Sequence, residues 1–247
     1  MIVKRAATKL RDGSFIYMIG ITWFVMRLWG LPKNVTTLRH MDILLKYFPQ
    51  LTTQQIEHFG ALGKIYTEWN EKINVISRKD AENLYERHVL HSLSIAKFTQ
   101  FKNATKIMDL GTGGGFPGVP LAIMYPDCRF HLVDSIGKKL KVIEAVKEEL
   151  QLKNVFTFHS RAEQMDFQYD FVVSRAVAPL GELLTGSKKK YLPKHQNERK
   201  NGLICLKGGD IEAEIAASGA KKVEKIPLSN YYDEDFFKDK YLVYVQQ

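Results

Sequence analysis

Apolar side chains recur at helical spacing through Ile56, Phe59, Leu62, Ile65, Tyr66 and Trp69, and Thr52-Thr53-Gln54-Gln55 supplies a hydroxyl cap with a glutamine behind it. The pattern predicts a helix over about 53–72. Asp80 is placed to cap a second helix in which Leu84, His88, His91, Leu93 and Ile95 alternate with polar positions up to about Phe98. From there the pattern changes. Short apolar runs at 106–110, 129–133, 155–159, 171–173 and 202–206 alternate with helix-type stretches at about 118–125, 137–150, 179–189 and 210–218. Apolar strands alternating with helices imply an α/β fold, a mainly parallel sheet covered on both faces. Two further strand-like runs, 221–228 and 241–245, have no helix between them, so the sheet is expected to finish with an antiparallel pair.

The N-terminal forty residues do not fit this pattern. Phe15 to Leu31 is nearly continuous apolar sequence behind a basic stretch, resembling a signal peptide or a short anchor. Its 17 residues, interrupted by Arg27, fall short of the roughly 20 usual for a membrane span, and Leu31-Pro32-Lys33-Asn34 offers no small-residue cleavage site. An interfacial helix, an anchor and an extension upstream of a natural start at Met41 are the three readings. Residues 1–40 are expected to lie outside the fold, which would be a single domain over 41–247 with a helical part, 41–100, and a core, 101–247.

Composition narrows the class further. The 247 residues are 45% hydrophobic and 26% charged, which excludes disordered and collagen-like chains. Cys128 and Cys205 make neither a zinc spacing nor a disulfide framework; both read as small core residues in a cytoplasmic protein. The net charge of +9 points to a polyanionic partner, yet seven basic residues against the single acid Asp12 lie within 1–40, so the remainder is only mildly cationic. His88 and His91, three apart on one helix, lack a third metal ligand of matching spacing, and no metal is expected.

The chemistry concentrates in Asp109-Leu110-Gly111-Thr112-Gly113-Gly114-Gly115-Phe116-Pro117-Gly118, which follows a strand and opens a helix. Backbone amides there approach a ligand closely, and open α/β sheets bind nucleotide-like ligands at such strand ends. Two ligands fit. Gly113, Gly115 and Gly118 with Asp134 at the next strand end read as a dinucleotide fingerprint. Asp109-x-Gly111-x-Gly113-x-Gly115 equally reads as the loop of S-adenosylmethionine (SAM)-dependent methyltransferases. Pro117 weighs against the first, because it removes an amide where a pyrophosphate would want one. An NAD(P)-dependent oxidoreductase also lacks a Tyr-x-x-x-Lys pair here; a non-catalytic SAM- or RNA-binding protein is the third alternative.

DLGTGGGFPGVPLAI, LVDSIGKK, SRAEQM, VVSRAVAPL and LKGG resemble, in order and spacing, the bacterial 16S ribosomal RNA guanine-N7 methyltransferase family (RsmG, formerly GidB), as do the upstream WNEKINVISRKD and ERHVLHSL. The likeness covers about Met41 to Gln247. It implies a class I, Rossmann-like methyltransferase sheet, mostly parallel with an antiparallel terminal strand and preceded by N-terminal helices. It implies SAM as cofactor and 16S rRNA of the small subunit, at its decoding-region 530 loop, as substrate, with a monomeric enzyme and no stable membrane partner. Carried over, Gly111, Gly113 and Phe116 line the SAM site, Asp134 takes the ribose hydroxyls, Ala162 and Glu163 meet adenine, and Arg175 contacts SAM. His88 is either a cap or core residue or, with Arg87 and Ser92, part of the cofactor- or RNA-facing helix. Arg78, Lys79, Arg87, Lys138, Lys139, Lys188 to Lys190 and Lys207 are the candidates for RNA contact, and Lys188 to Asn201 is expected to be a mobile basic loop. No catalytic base is expected, since guanine N7 carries a free lone pair, and neither an Asn-Pro-Pro-Tyr motif nor a Pro-Cys pair is present.

Overall fold

The computed structural model describes residues 6–9, 15–18, 35–73, 82–175 and 178–247, with side chains from Met41 onward. They fall into two compact units, Met1–Leu38 and Arg39–Gln247. In the first, β1 (Ala6–Lys9) pairs antiparallel with β2 (Phe15–Met18). The start of the apolar run is therefore strand. The rest of that run, 19–31, lies outside the described residues, as do Asp80, Arg78 and Lys79. Among the described residues no helix is long and apolar enough to cross a membrane.

The second unit begins within α1 (Val35–Tyr47), a helix that already spans the expected start at Met41. It buries Met41 and Leu44, and Phe48 is buried just past its end. In α2 (Thr53–Asn70) the anticipated cap is a complete capping box: Thr52 Oγ1 accepts from the Gln55 amide and Gln55 Oε1 accepts from the Thr52 amide. The second expected helix has two parts. Leu84–Leu90 is wound as a π-helix, so the His91 amide reaches back five residues to Glu86, and α3 (His91–Phe98) continues as a regular helix. A π turn of this kind frequently marks a functional site.

The seven-stranded sheet has the order β5 (Val155–His159), β4 (Arg129–Asp134), β3 (Lys106–Leu110), β6 (Phe171–Arg175), β7 (Gly202–Gly208), β9 (Lys240–Gln246) and β8 (Val223–Pro227). From β5 to β7 the pairs are parallel, while β9 runs antiparallel to both β7 and β8. The single reversed strand is thus the last in sequence but sits inside the sheet, with β8 at the edge. One face buries Ile107, Phe130, Leu132 and Val173 against α2, α3, α4 (Gly118–Met124) and α5 (Gly137–Glu149). The other packs Val172, Leu203 and Cys205 beneath α6 (Leu180–Gly186) and α7 (Ile211–Ser218) through Leu180, Leu183 and Ile211. Both cysteines are buried with free thiols, and burial pushes that of Cys128 up to about 11.

The segment 188–201 is tied down along its length. Asn197 Oδ1 accepts from the Lys102 amide, Asn201 Nδ2 donates to the carbonyls of Leu192 and Lys194, and Arg199 stacks 3.7 Å over Phe98 while pairing with Glu224. The mobile loop expected from its basic composition is instead a packed crossover, because its amides and Arg199 find partners within the fold.

His131 on β4 is 9% exposed among four aromatic rings. Burial, reinforced by Arg129 and Lys106, pushes its pKa down to about 4. An unfolded chain therefore binds a proton there between about 6.5 and 4 that the native protein refuses, and this contribution to stability is present above the unfolded value and lost as pH falls. In urea titrations between pH 7.5 and 4.5 the parent should lose roughly 1 to 3 kcal/mol more than His131→Phe. Parallel pH profiles of the two proteins would refute the assignment.

Candidate functional site

The loop between β3 and α4 is held from below by Asp109, a carboxylate with no exposed surface. Its Oδ2 accepts from the Thr112 hydroxyl at 2.6 Å and from the Gly118 amide at 2.8 Å, fastening the loop's two ends together. Gly118 is obligatory there, since a Cβ would stand 2.7 Å from that oxygen. Burial pushes the Asp109 carboxyl up to about 7, opposed by these two hydrogen bonds and by the charge of Arg175. Its Oδ1 has no hydrogen-bond partner among the described residues.

A second set of bonds ties the loop to β4. The amides of Gly111 and Thr112 both donate to the Val133 carbonyl, and the Gly113 amide donates to Asp134 Oδ2 at 2.8 Å. Asp134 Oδ1 accepts from the Ile136 amide, also at 2.8 Å. Gly113 has φ +57°, and nothing lies within 4 Å of where a Cβ would point, so open space borders the loop beside the acid. Each Asp134 oxygen keeps a further lone pair for a ligand hydroxyl. These residues fit SAM: an amide-rich cradle, free space at Gly113 and a carboxylate with spare acceptor capacity at the neighbouring strand end. Pro117 precedes the first helical residue, Gly118, and stands at the helix cap.

Phe116 is almost fully buried. Its ring packs on Tyr66 at 4.8 Å and on His88 at 5.1 Å, and the Arg175 guanidinium lies 5.0 Å from its centroid. Arg175, at the end of β6, donates to the Arg87 carbonyl at 3.1 Å and meets His88 Nδ1 at 2.8 Å. A guanidinium has no lone pair to offer, so Nδ1 must accept and the His88 proton resides on Nε2. The π-wound segment therefore joins the sheet end through Arg87 and His88. His91 points elsewhere, its ring against Phe236 and Phe237.

The remaining expected residues divide. Ser160 continues from β5 by donating to the Asp134 carbonyl, and the tight turn that follows begins at the buried Ala162, with Glu163 exposed beside it. Lys138 and Lys139 stand on the first turn of α5, the former exposed, and Lys188 is exposed just past α6. Lys190 and Lys207 face inward. Lys190 Nζ donates to the carbonyls of Glu163 and Met165, fixing the 163–165 backbone. Lys207, 7% exposed, pairs with Glu214 at 2.6 Å and donates to the Ala178 carbonyl. Lys207 is thus not a surface cation for RNA. A desolvated ammonium needs a carboxylate and carbonyls more than it can serve a distant phosphate.

Tyr66 was hidden among the core positions of α2. Its hydroxyl donates to the Gly114 carbonyl at 2.6 Å, from a fully buried position. Nothing local to Tyr66 marks that role; the hydroxyl on an otherwise apolar stripe was the sole signal, since a buried phenol requires a partner.

The comparisons agree with this architecture. The family model described as "rRNA small subunit methyltransferase G" (GidB) matches residues 55–228. The chain is 57% identical over 206 residues, 83% of its length, to all of the Ribosomal RNA small subunit methyltransferase G of Bacteroides thetaiotaomicron. It is 50% identical over 205 residues to 99% of the protein of that name from Cytophaga hutchinsonii. Among solved structures, a mutant of MtNAS superimposes with a TM-score of 0.52 at 13% identity, over 78% of this chain and 74% of that one, a likeness of fold alone. The length and identity of these matches show that the chain belongs to the rRNA small subunit methyltransferase G family.

Proposed function

We propose that the protein transfers a methyl group from SAM to N7 of a guanine in small-subunit 16S rRNA, within the decoding-region 530 loop. Membership of the family and the Asp109-fastened glycine loop beside Asp134 carry the reading. SAM supplies a methyl group made electrophilic by its sulfonium. With SAM held there, attack by the guanine N7 lone pair on the methyl carbon would break the C–S bond and leave S-adenosylhomocysteine, and no residue would have to move a proton. Residues of the site therefore position and screen. Asp134 holds the Gly113 amide and offers its remaining lone pairs to the ribose hydroxyls, Ala162 and Glu163 meet the adenine, and Arg175 stays fixed by His88 and the Arg87 carbonyl. Alignment of nucleophile, methyl carbon and leaving sulfur supplies the rate, with loop dipoles matched to charge moving from sulfur to base.

Arg87, His88, Lys138, Lys139 and Lys188 are the groups we assign to RNA, the exposed lysines through phosphates in a salt-dependent manner. The activity resides in residues 41–247, in a monomer acting in the cytoplasm.

The test is product mapping. Small subunits from a strain lacking the gene, methylated in vitro, should yield one chain break after borohydride and aniline treatment; methyl incorporation without a break would move the target to another atom. Asp134→Ala should weaken SAM binding by about 1 to 3 kcal/mol in isothermal titration, because the ribose hydroxyls lose their acceptor. An unchanged dissociation constant in a folded variant would refute that role. Tyr66→Phe keeps the ring against Phe116 but strands the Gly114 carbonyl, and SAM affinity should fall by about 0.5 to 1.5 kcal/mol alongside a modest drop in melting temperature. A loss confined to melting temperature would leave Tyr66 a packing residue only.

A further inference from the structure

The face of the sheet that carries α6 and α7 is unevenly covered. Those helices lie over β6 and β7, whereas over β4 and β5 the cover is the 160–169 loop, through Ala162, Met165, Phe167 and Tyr169. At its margin Phe156 is 37% and Phe167 48% exposed, unusual for rings that have a core beside them. They flank His131 at 5.6 and 5.0 Å, and Phe158 closes the cluster 5.7 Å from Phe167. The parallel register sets Lys106 beside Arg129 and His131 beside Phe156, so both cations share this face with the rings. The Arg129 guanidinium lies 5.6 Å from the Phe156 centroid. The charges acting on His131 are those of Arg129 and Lys106. Phe156, Lys106 and Arg129 also border a cavity of about 1060 Å³ at the foot of the sheet, where Lys153 joins them against Glu57, Asp127 and Glu149. Lys106 and Arg129 thus stand where the sheet face meets the hollow, with Asp170 accepting from the Lys106 amide beside them.

Exposed rings with guanidinium and ammonium groups at their edges suit an unpaired nucleotide: the base stacks on a ring and its phosphate meets the cations. We infer that Phe156, Phe167, Arg129 and Lys106 form a second RNA contact, outside the methyl-transfer site, that takes an unstacked base and its phosphate from a single-stranded stretch of the substrate. Phe156 stands three residues down β5 from His159 at the ligand edge, about 10 Å at strand rise, so one RNA strand can touch both places. The inference rests on the rRNA reading above.

The experiment compares the parent protein with Phe156→Ala/Phe167→Ala, Phe156→Leu/Phe167→Leu and Arg129→Glu. For each, SAM affinity and melting temperature are measured, then binding of fluorescein-labelled oligouridylate by anisotropy, then KM and kcat on unmethylated small subunits. Both ring pairs should weaken oligouridylate binding and raise KM by about tenfold, since neither alanine nor leucine stacks a base, while kcat and SAM affinity stay at parental values. Arg129→Glu should do the same and flatten the salt dependence of binding. Unchanged KM and oligouridylate affinity in the alanine pair would overturn the inference. So would a leucine pair that keeps the parental KM while the alanine pair loses it, which marks an apolar contact with a ribosomal protein. Failure of the parent to methylate small subunits sinks the rRNA reading instead, and is told apart because oligouridylate binding is read without any methyl transfer.

Discussion

A single buried carboxylate organises the ligand edge of this protein. Asp109 takes a hydroxyl and an amide from opposite ends of the same loop, and thereby fastens Gly111–Gly118 into a cradle. Burying a carboxylate costs several kcal/mol unless hydrogen bonds and nearby charge offset it. Here the offset comes from Thr112, Gly118 and the field of Arg175, and it is incomplete, as the raised pKa of about 7 records.

Around that cradle the fold supplies three walls from distant sequence. Tyr66 on α2 holds Gly114 from the helical side, Asp134 holds Gly113 from β4, and Arg175 spans to the π-wound turn that carries Arg87 and His88. Phe116 sits where these converge, packed by Tyr66 and His88 and capped by the guanidinium. Tyr66 of α2 and the π-wound segment thus pack directly against the glycine loop and the end of β6. Removing the wide turn would shift the Arg87 carbonyl and His88 ring relative to β6, because a π turn changes the rotational phase of all that follows it.

Basic residues serve two distinct ends in this chain. Lys190 and Lys207 are spent inside, on carbonyls of the 163–165 turn and of Ala178 and on Glu214, so they shape the loops that follow β5 and β6. Deleting Glu214 would strand a buried ammonium, a change worth roughly 3 to 5 kcal/mol. Lys138 and Lys188 stay in solvent, where a polyanion can reach them. Composition counts all of these alike, and only burial separates a structural cation from one that can meet RNA.

Strand and helix positions were legible in the sequence almost to the residue from β3 onward, because period-2 and period-3.6 patterns report on neighbours one or two turns away. The glycine turn from β3 into α4 and the place of Asp134 at the end of β4 were legible as well, since a strand, a glycine-rich turn and an acid at the next strand end are local signals. The placement of β9 between β7 and β8, the phenol of Tyr66 on Gly114, the burial of Lys207 and the anchoring of 188–201 were not. Each depends in part on partners up to 101 positions away or on which strand edge is left free. By itself the sequence determined the kind of elements, their order and the chemistry of the ligand loop; the tertiary structure decided which polar groups face each other across the sheet end, because desolvation and hydrogen-bond geometry act only once distant segments are packed together.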